Sequence, residues 1–243
     1  MNVLAIGNSF SQDAFKYLHN VARCSGDSLT TVNLYIGGCS LSKHYKNMLA
    51  DAKDYIMEFN GSLTGFKVSL KEALLNREWD YISLQQSSNF SPYFESYQPY
   101  LDELAAYVRK HAPKAKIVIH QTWAYEQGSA RLCDELGYSD HKDMFADIKV
   151  AYAKAAEAIS ADLTIPSGEV FQNLLKYGIE KVHRDTFHAG LGIGRYALAL
   201  TWYAMLSGKD ITDNDFSDFD EEITKSDIEI IKKAVTETVK EYK

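Results

Sequence analysis

Three polar residues that lie far apart in the sequence have the side chains needed for nucleophilic catalysis. Ser9 follows a short apolar run at 3–6 and precedes an amphipathic stretch. Asp185 and His188 are three residues apart, a spacing at which a carboxylate can orient an imidazole ring. A serine hydroxyl becomes a nucleophile when a histidine takes its proton and an acid holds that histidine. The three residues therefore predict acyl transfer, with Ser9 as nucleophile, His188 as base and Asp185 as orienting acid.

The serine at position 9 also has a purely structural interpretation. Ser9-x-x-Gln12 is a capping-box pattern, and Ser11 is a second candidate for the cap of the first helix. Gly7 permits the tight turn that either role requires. From these residues alone, both the catalytic and the capping interpretation stay open.

A second serine motif competes with Ser9. Gly26-Asp27-Ser28-Leu29 spells a familiar esterase signature, but it lies between the first predicted helix and the second predicted strand. Gly26 suits the left-handed position that ends a helix, and Asp27-Ser28 suits a turn. We therefore interpret this motif as structural.

Strands and helices alternate along the chain and must position these residues. Apolar strands are predicted at 3–6, 30–36, 79–84, 116–122 and 163–165. Helices are predicted at 12–23, 66–76, 98–111, 142–160, 169–177, 192–207 and 225–242. This order predicts an α/β fold, a three-layer α/β/α sandwich with a five-stranded, mostly parallel, flavodoxin-like sheet. We expect residues 1–243 to form a single domain.

Functional residues of such a sheet are expected just beyond the carboxyl ends of its strands. That rule selects the segments 7–11, 36–40, 85–90 and 122–126. Ser9 lies in the first of them, whereas Ser28 lies at the opposite edge of the predicted sheet.

Four sequence blocks, in this order, resemble the SGNH, or GDSL-type, hydrolases. The blocks are Gly7-Asn8-Ser9, Gly37-Gly38-Cys39-Ser40, Gln85-Gln86-Ser87-Ser88-Asn89 and Asp185-Thr186-Phe187-His188. The stretches LYIGGCSL, WDYISLQQSS, HQTWAYE and IPSG are similar to a little-characterised bacterial branch of that superfamily. The resemblance implies the SGNH hydrolase fold and a serine esterase mechanism through an acyl-enzyme.

The resemblance also implies an oxyanion hole built from the second and third blocks. The backbone amides of Ser9 and Gly38 would donate to the oxyanion, together with the side chain of Asn89 or Gln86. The third block departs from the family pattern Gly-x-Asn-Asp, since the chain has Ser87-Ser88-Asn89-Phe90. Asn89 matches by register, and Gln86 lies closer to the strand end, so both stay candidates.

The resemblance makes O-acetyl esters of carbohydrates the leading substrate, followed by a small acyl ester or thioester. Aromatic and polar side chains near the strand ends suit the faces of a sugar. The candidate substrate-binding residues are His44, Tyr45, Trp123 and Tyr125, and each has core packing as its alternative. No metal or cofactor is expected.

Two other classes of function compete with the serine esterase. One is a non-catalytic carbohydrate- or ligand-binding domain of SGNH type, with Ser9 as a cap. The other is a cysteine enzyme that uses Cys39, which lies beside Gly38 on the same rim. The sequence offers no clear histidine and acid partners for that thiol.

Composition restricts the partners and the compartment. Lys and Arg number 26 against 33 Asp and Glu, a net charge of −7, which argues against nucleic acid or an anionic membrane as a partner. The chain has three cysteines that are widely spaced in the sequence, which predicts free thiols rather than disulfides. The chain shows neither a signal peptide nor an apolar run of membrane-spanning length, so we expect a cytoplasmic protein, or a secreted or periplasmic one if a leader was removed.

Overall fold

The computed structural model describes residues 1–242 and centres on one mixed β-sheet. Its strands are β1 (Asn2–Gly7), β2 (Thr30–Tyr35), β3 (Tyr55–Phe59), β4 (Ser62–Val68), β5 (Tyr81–Leu84), β6 (Lys116–Gln121) and β7 (Leu163–Pro166). Their order in the sheet is β4-β3-β2-β1-β5-β6-β7. The pairs β2–β1, β1–β5, β5–β6 and β6–β7 are parallel, which confirms the predicted α/β class and its mostly parallel sheet.

Helices cover both faces of the sheet, as expected for strands that are apolar on both sides. They are α1 (Ser9–Phe15), α2 (Leu18–Cys24), α3 (Leu41–Ala50), α4 (Leu70–Leu75), α5 (Tyr100–His111), α6 (His141–Ala158), α7 (Ser167–Lys176), α8 (Ile193–Ser207) and α9 (Lys225–Tyr242). Helix α8 packs against α1, α2, α7 and α9 in one layer, while α3 and α4 pack against α5 in the other. Within residues 1–242, no helix combines the length and apolar character needed to cross a bilayer.

The sheet has seven strands, so the prediction of five was wrong. The two additional strands, β3 and β4, form an antiparallel hairpin at the sheet edge beside β2. The hairpin turns at Asn60-Gly61, where both residues have positive φ, and Asn-Gly is the pair that such turns favour. Most of β4 is exposed, so its hydrophobic alternation is weak.

The helix predicted at 66–76 was wrong in its first part for the same reason. Residues 66–68 belong to β4, and α4 begins only after Ser69. The Ser69 hydroxyl accepts a hydrogen bond from the Glu72 amide, and the Glu72 carboxylate accepts one from the Ser69 amide. This reciprocal cap is a strong start signal, and it fixes the boundary between strand and helix.

Candidate active site

The segment 7–11, here called the nucleophile turn, connects β1 to α1 at the carboxyl edge of the sheet. Its helix cap is Asn8, whose Oδ1 accepts from the Phe10 amide at 3.0 Å. The Ser11 Oγ in turn accepts from the Asn8 amide at 3.0 Å. The interpretation of Ser9 as the cap was therefore wrong, and Ser11 is the reciprocal partner in the capping box rather than the N-cap residue. Because Asn8 fills that role, the Ser9 hydroxyl is free to contact another group.

Gly7 lets Ser11 fold back against the end of β1. A Cβ at position 7 would lie 2.1 Å from the Ser11 Oγ, closer than two such atoms can approach. Ser11 also donates to the Asn33 Oδ1 at 2.7 Å, so the turn is tied to the neighbouring strand β2. A side chain at position 7 would displace the serine that completes the cap.

The structure brings Ser9, His188 and Asp185 together, although 175 or more residues separate the serine from the other two. The His188 Nε2 lies 2.9 Å from the Ser9 Oγ, and the His188 Nδ1 lies 2.7 Å from the Asp185 Oδ2. With its ring proton on Nδ1, His188 donates to the carboxylate and accepts from the serine hydroxyl. This geometry suits the transfer of a proton from serine to histidine.

The carboxylate of Asp185 is held by its own loop. Its Oδ1 accepts from the Phe187 amide at 2.9 Å and from the His188 amide at 2.8 Å. Partial burial opposes ionisation, but these amides and the His188 ring outweigh it and lower the pKa of Asp185 to about 2. The group is therefore a carboxylate at neutral pH, as an orienting acid must be.

The segment 182–190, here called the acid–base loop, is anchored to α1 by a buried charge. Asp13 lies one helical turn after Ser9, and its carboxylate is fully buried. Both of its oxygens accept from the Arg184 Nη1 at 2.8 Å, and it also accepts from the Arg195 Nε at 2.9 Å and the Ala189 amide at 3.2 Å. The helix that starts at Ser9 thus also holds the loop that carries Asp185 and His188.

Uncharged side chains form a buried row beneath the nucleophile turn. The Gln85 Nε2 donates to the Asn8 Oδ1 at 2.8 Å, and the Gln85 Oε1 lies 2.7 Å from the His120 Nδ1. The His120 Nε2 lies 3.0 Å from the Ser167 Oγ. Burial lowers the pKa of His120 to about 3, so the ring is neutral and acts as a structural link rather than a base.

The three candidate oxyanion donors beyond Ser9 differ in availability. Gly38 is exposed and has φ of +62°, in a turn closed by the Cys39 amide and the Ile36 carbonyl. Gln86 is buried, and its side-chain amide is already hydrogen-bonded within the protein. Its Oε1 accepts from two backbone amides, and its Nε2 donates to Ser96. Asn89 is exposed, and its side chain makes no hydrogen bond to any of residues 1–242.

Two of the predicted substrate-binding residues, His44 and Tyr45, lie in α3 and contact neighbouring tyrosines. The ring of His44 is fully buried, stacks on Tyr55 and lies 3.0 Å from that residue's hydroxyl. Tyr45 is half-buried, and its ring packs against Tyr100 at the start of α5. The His44 ring therefore lies inside the protein, whereas Tyr45 keeps part of its surface exposed to solvent.

The other two predicted substrate-binding residues support the acid–base loop from below. Trp123 is fully buried, stacks on Phe10 and donates its Nε1 proton to the Phe187 carbonyl at 2.8 Å. Tyr125 is also buried, packs edge-on against the Phe187 ring, and has its hydroxyl 2.9 Å from the Ser88 Oγ. Their contacts fix Phe187, the residue next to His188.

The structure supplies a histidine neighbour for Cys39 but does not activate the thiol. The Cys39 Sγ lies 3.5 Å from the His44 Nδ1. Burial raises the pKa of Cys39 to about 12 and lowers the pKa of His44 to about 3. Both groups are therefore neutral near pH 7, and a neutral buried thiol is a poor nucleophile.

The motif at 26–29 lies at the opposite edge of the sheet from Ser9. Gly26 has φ of +76° after the end of α2, and Asp27 binds Lys209 and Tyr203. Ser28 is exposed and precedes β2, with its carbonyl accepting from the N-terminal amine. The motif thus forms a helix end and a turn, the role its sequence position indicates.

The sequence interpretation missed the residues that position the site. Asp13 carried a usable signal, because a carboxylate four residues after a candidate nucleophile shares its helix face. Asn8, immediately before Ser9, is a preferred cap residue. Arg184, Gln85 and their partners gave no comparable signal, since their contacts join segments that are distant in the sequence.

No group of three or more His, Cys, Asp or Glu side chains within residues 1–242 is arranged to hold a metal ion.

Comparison with solved structures identifies the fold as that of the SGNH hydrolases. A candidate SGNH hydrolase from Slackia heliotrinireducens superposes with a TM-score of 0.62 at 24% identity, covering 85% of this chain and 98% of the other. Axe2, an acetylxylan esterase from Geobacillus stearothermophilus, gives a TM-score of 0.53 at 15% identity, covering 88% and 97%.

The chain belongs to the family described as a domain of unknown function, DUF4886, which matches residues 2–238. A DUF4886 family protein from Bacteroides uniformis is 34% identical, with a TM-score of 0.93 over 98% of this chain and 94% of the other. A search of curated proteins found no match.

Proposed function

We propose that the protein is a serine esterase that hydrolyses small acyl esters, with O-acetylated carbohydrates as the substrate class. The observation that carries the proposal is the pair of contacts through His188, 2.9 Å to the Ser9 Oγ and 2.7 Å to the Asp185 Oδ2. The acetylxylan esterase fold neighbour supports the acetyl-sugar assignment.

In the proposed mechanism, His188 takes the Ser9 proton as the serine oxygen attacks the ester carbonyl. The backbone amides of Ser9 and Gly38 and the side chain of Asn89 donate to the oxyanion. We prefer Asn89 to Gln86 because the side-chain oxygen and nitrogen of Gln86 both already form hydrogen bonds within the protein. The imidazolium then gives its proton to the leaving alcohol, and water releases the acid from the acyl-enzyme by the same route.

The first experiment compares Ser9→Ala with Ser28→Ala, two serines at opposite sheet edges. We expect Ser9→Ala to lower kcat for p-nitrophenyl acetate by about 10⁴-fold or more, and Ser28→Ala to keep wild-type kcat. A fluorophosphonate probe should label the peptide that contains Ser9, as read by mass spectrometry.

The reverse result in folded variants, loss of activity with Ser28→Ala alone, would remove Ser9 from the mechanism. A folded wild-type protein that neither hydrolyses esters nor accepts the probe would instead support a non-catalytic ligand-binding domain.

A further inference from the structure

One arginine lies beside the base without a strong ionic partner. Arg131 begins a π-helical turn, Arg131–Glu135, in the segment after β6. Its guanidinium lies 4.1 Å from the centre of the Phe187 ring, and that ring lies 3.9 Å from the ring of His188. Two successive ring contacts thus connect the cation to the base.

The guanidinium of Arg131 interacts with the Tyr125 hydroxyl and has only a weak ionic partner, so donors remain available to a ligand. Its nearest carboxylate, Glu135, is 3.7 Å away, and the two side chains are 41% and 57% exposed, so this pair contributes little. Arg184 and Arg195 differ, because both bind the buried Asp13. Stacking on Phe187 keeps the planar guanidinium oriented, which prepares it for a bidentate partner.

The position of Arg131 indicates which part of an ester it would contact. In serine hydrolysis the histidine gives its proton to the leaving alcohol, so the alcohol must lie next to His188. Arg131 follows β6 and contacts Phe187, whose ring packs against His188, whereas the oxyanion candidate Gly38 follows β2, on the other side of β1. A group bound by Arg131 therefore belongs to the alcohol.

We propose that Arg131 binds a carboxylate on the alcohol part of the ester, so that O-acetylated sugar acids are the preferred substrates. This inference rests on the proposed esterase function. An arginine matches a carboxylate through paired, charge-assisted hydrogen bonds. On a chain of net charge −7, a cation at the site also offsets the general repulsion of an anionic substrate.

The test compares an O-acetylated methyl glucuronide with the identically acetylated methyl glucoside. At low ionic strength, the wild-type kcat/KM should favour the glucuronide by about tenfold, the factor that charge-assisted hydrogen bonds to an exposed arginine supply. Arg131→Gln should bring the ratio close to one, mainly through KM, and Arg131→Lys should restore part of it. Added salt should reduce the wild-type ratio.

Two further variants sharpen this test. Glu135→Gln removes the competing carboxylate and should raise the glucuronide preference about twofold. Arg77 is a matched control, since its guanidinium also lies over aromatic rings, those of Phe59 and Trp79, but before the start of β5 at the other sheet edge. Arg77→Gln should keep the wild-type ratio.

A wild-type ratio near one, or a preference that survives Arg131→Gln, would overturn the carboxylate assignment while leaving the esterase proposal intact. Failure to hydrolyse either sugar, together with failure to label Ser9, would overturn the esterase proposal and this inference with it.

Discussion

The nucleophile turn and the acid–base loop meet at one hydrogen bond but are held by different kinds of contact. Below the turn, Asn8, Gln85, His120 and Ser167 form a row of uncharged hydrogen bonds. The loop is instead anchored by the buried carboxylate of Asp13. Both sets of contacts hold their segment in place. The stability of the fold should respond differently to removal of the Asp13 charge and to protonation of His120 in the neutral row.

The difference has a physical basis. The neutral row connects the ends of neighbouring strands, so the rigid sheet already brings its members close together. The acid–base loop belongs to no strand, and its own backbone pairing is a single bridge between His183 and Ala189, so contacts from Trp123 and from the Asp13 carboxylate hold it in place. A buried carboxylate with two arginines supplies a strong constraint, but removing one partner leaves uncompensated charge.

The largest expected effect on kcat comes from Asp185, the carboxylate in the acid–base loop. Asp185→Asn keeps the shape of the side chain but cannot hold the same tautomer of His188 as a carboxylate does. We expect kcat for p-nitrophenyl acetate to fall about 10⁴-fold in the folded variant. Asp218→Asn, at an exposed acidic position before α9, is the matched control and should keep wild-type kcat. Wild-type kcat in Asp185→Asn would contradict the orienting role.

The next largest effect is expected from Asp13, whose buried carboxylate connects the acid–base loop to α1. Asp13→Asn should lower the free energy of unfolding by about 3–5 kcal/mol, because Arg184 and Arg195 lose a buried partner. In the remaining folded enzyme, kcat should fall about 10- to 100-fold with KM little changed, since displacement of the loop misaligns His188. Urea denaturation and steady-state kinetics measure the two quantities separately.

The control for Asp13 is Asp27, an aspartate at the other sheet edge. Asp27→Asn removes a partly exposed contact to Lys209 and should change stability by less than about 1 kcal/mol. If Asp13→Asn keeps wild-type kcat while losing stability, the anchor supports the fold without aligning the base.

The smallest expected effect is the pH dependence of stability that arises from His120 in the neutral row. Burial lowers the folded-state pKa of His120 from 6.5 to about 3, so the unfolded chain binds a proton there first as pH falls. This contribution to stability is present above about pH 6.5 and is lost progressively towards pH 3. Between pH 6.5 and pH 5 it should cost about 2 kcal/mol, measured by urea denaturation.

Variants of the row separate this titration from packing. His120→Gln should be less stable at neutral pH but decline less steeply on acidification. Ser167→Ala removes the hydrogen bond to His120 without removing the titrating group, so it should keep the wild-type slope. Equal slopes in wild type and His120→Gln would show that acid sensitivity arises elsewhere, with His44 and His183 as the other buried histidines whose pKa is lowered.

The edge strands illustrate where prediction from the sequence succeeded and failed. The five parallel strands are apolar and therefore visible as runs, and their order put Ser9 at the carboxyl edge of the sheet. The β3–β4 hairpin was missed because β4 is largely exposed, although its Asn60-Gly61 turn was a readable signal.

The sequence by itself determined the α/β alternation, the place of Ser9 after β1 and the Asp185-x-x-His188 spacing, because these depend on local patterns. Only the tertiary structure decided that Asn8 caps α1 and that the Gln86 side chain is hydrogen-bonded within the protein. It also decided that Trp123 supports the acid–base loop. Each of these outcomes depends on which donor meets which acceptor once distant segments pack together. Residue type limits those partners, but the assembled sheet and its helices select them.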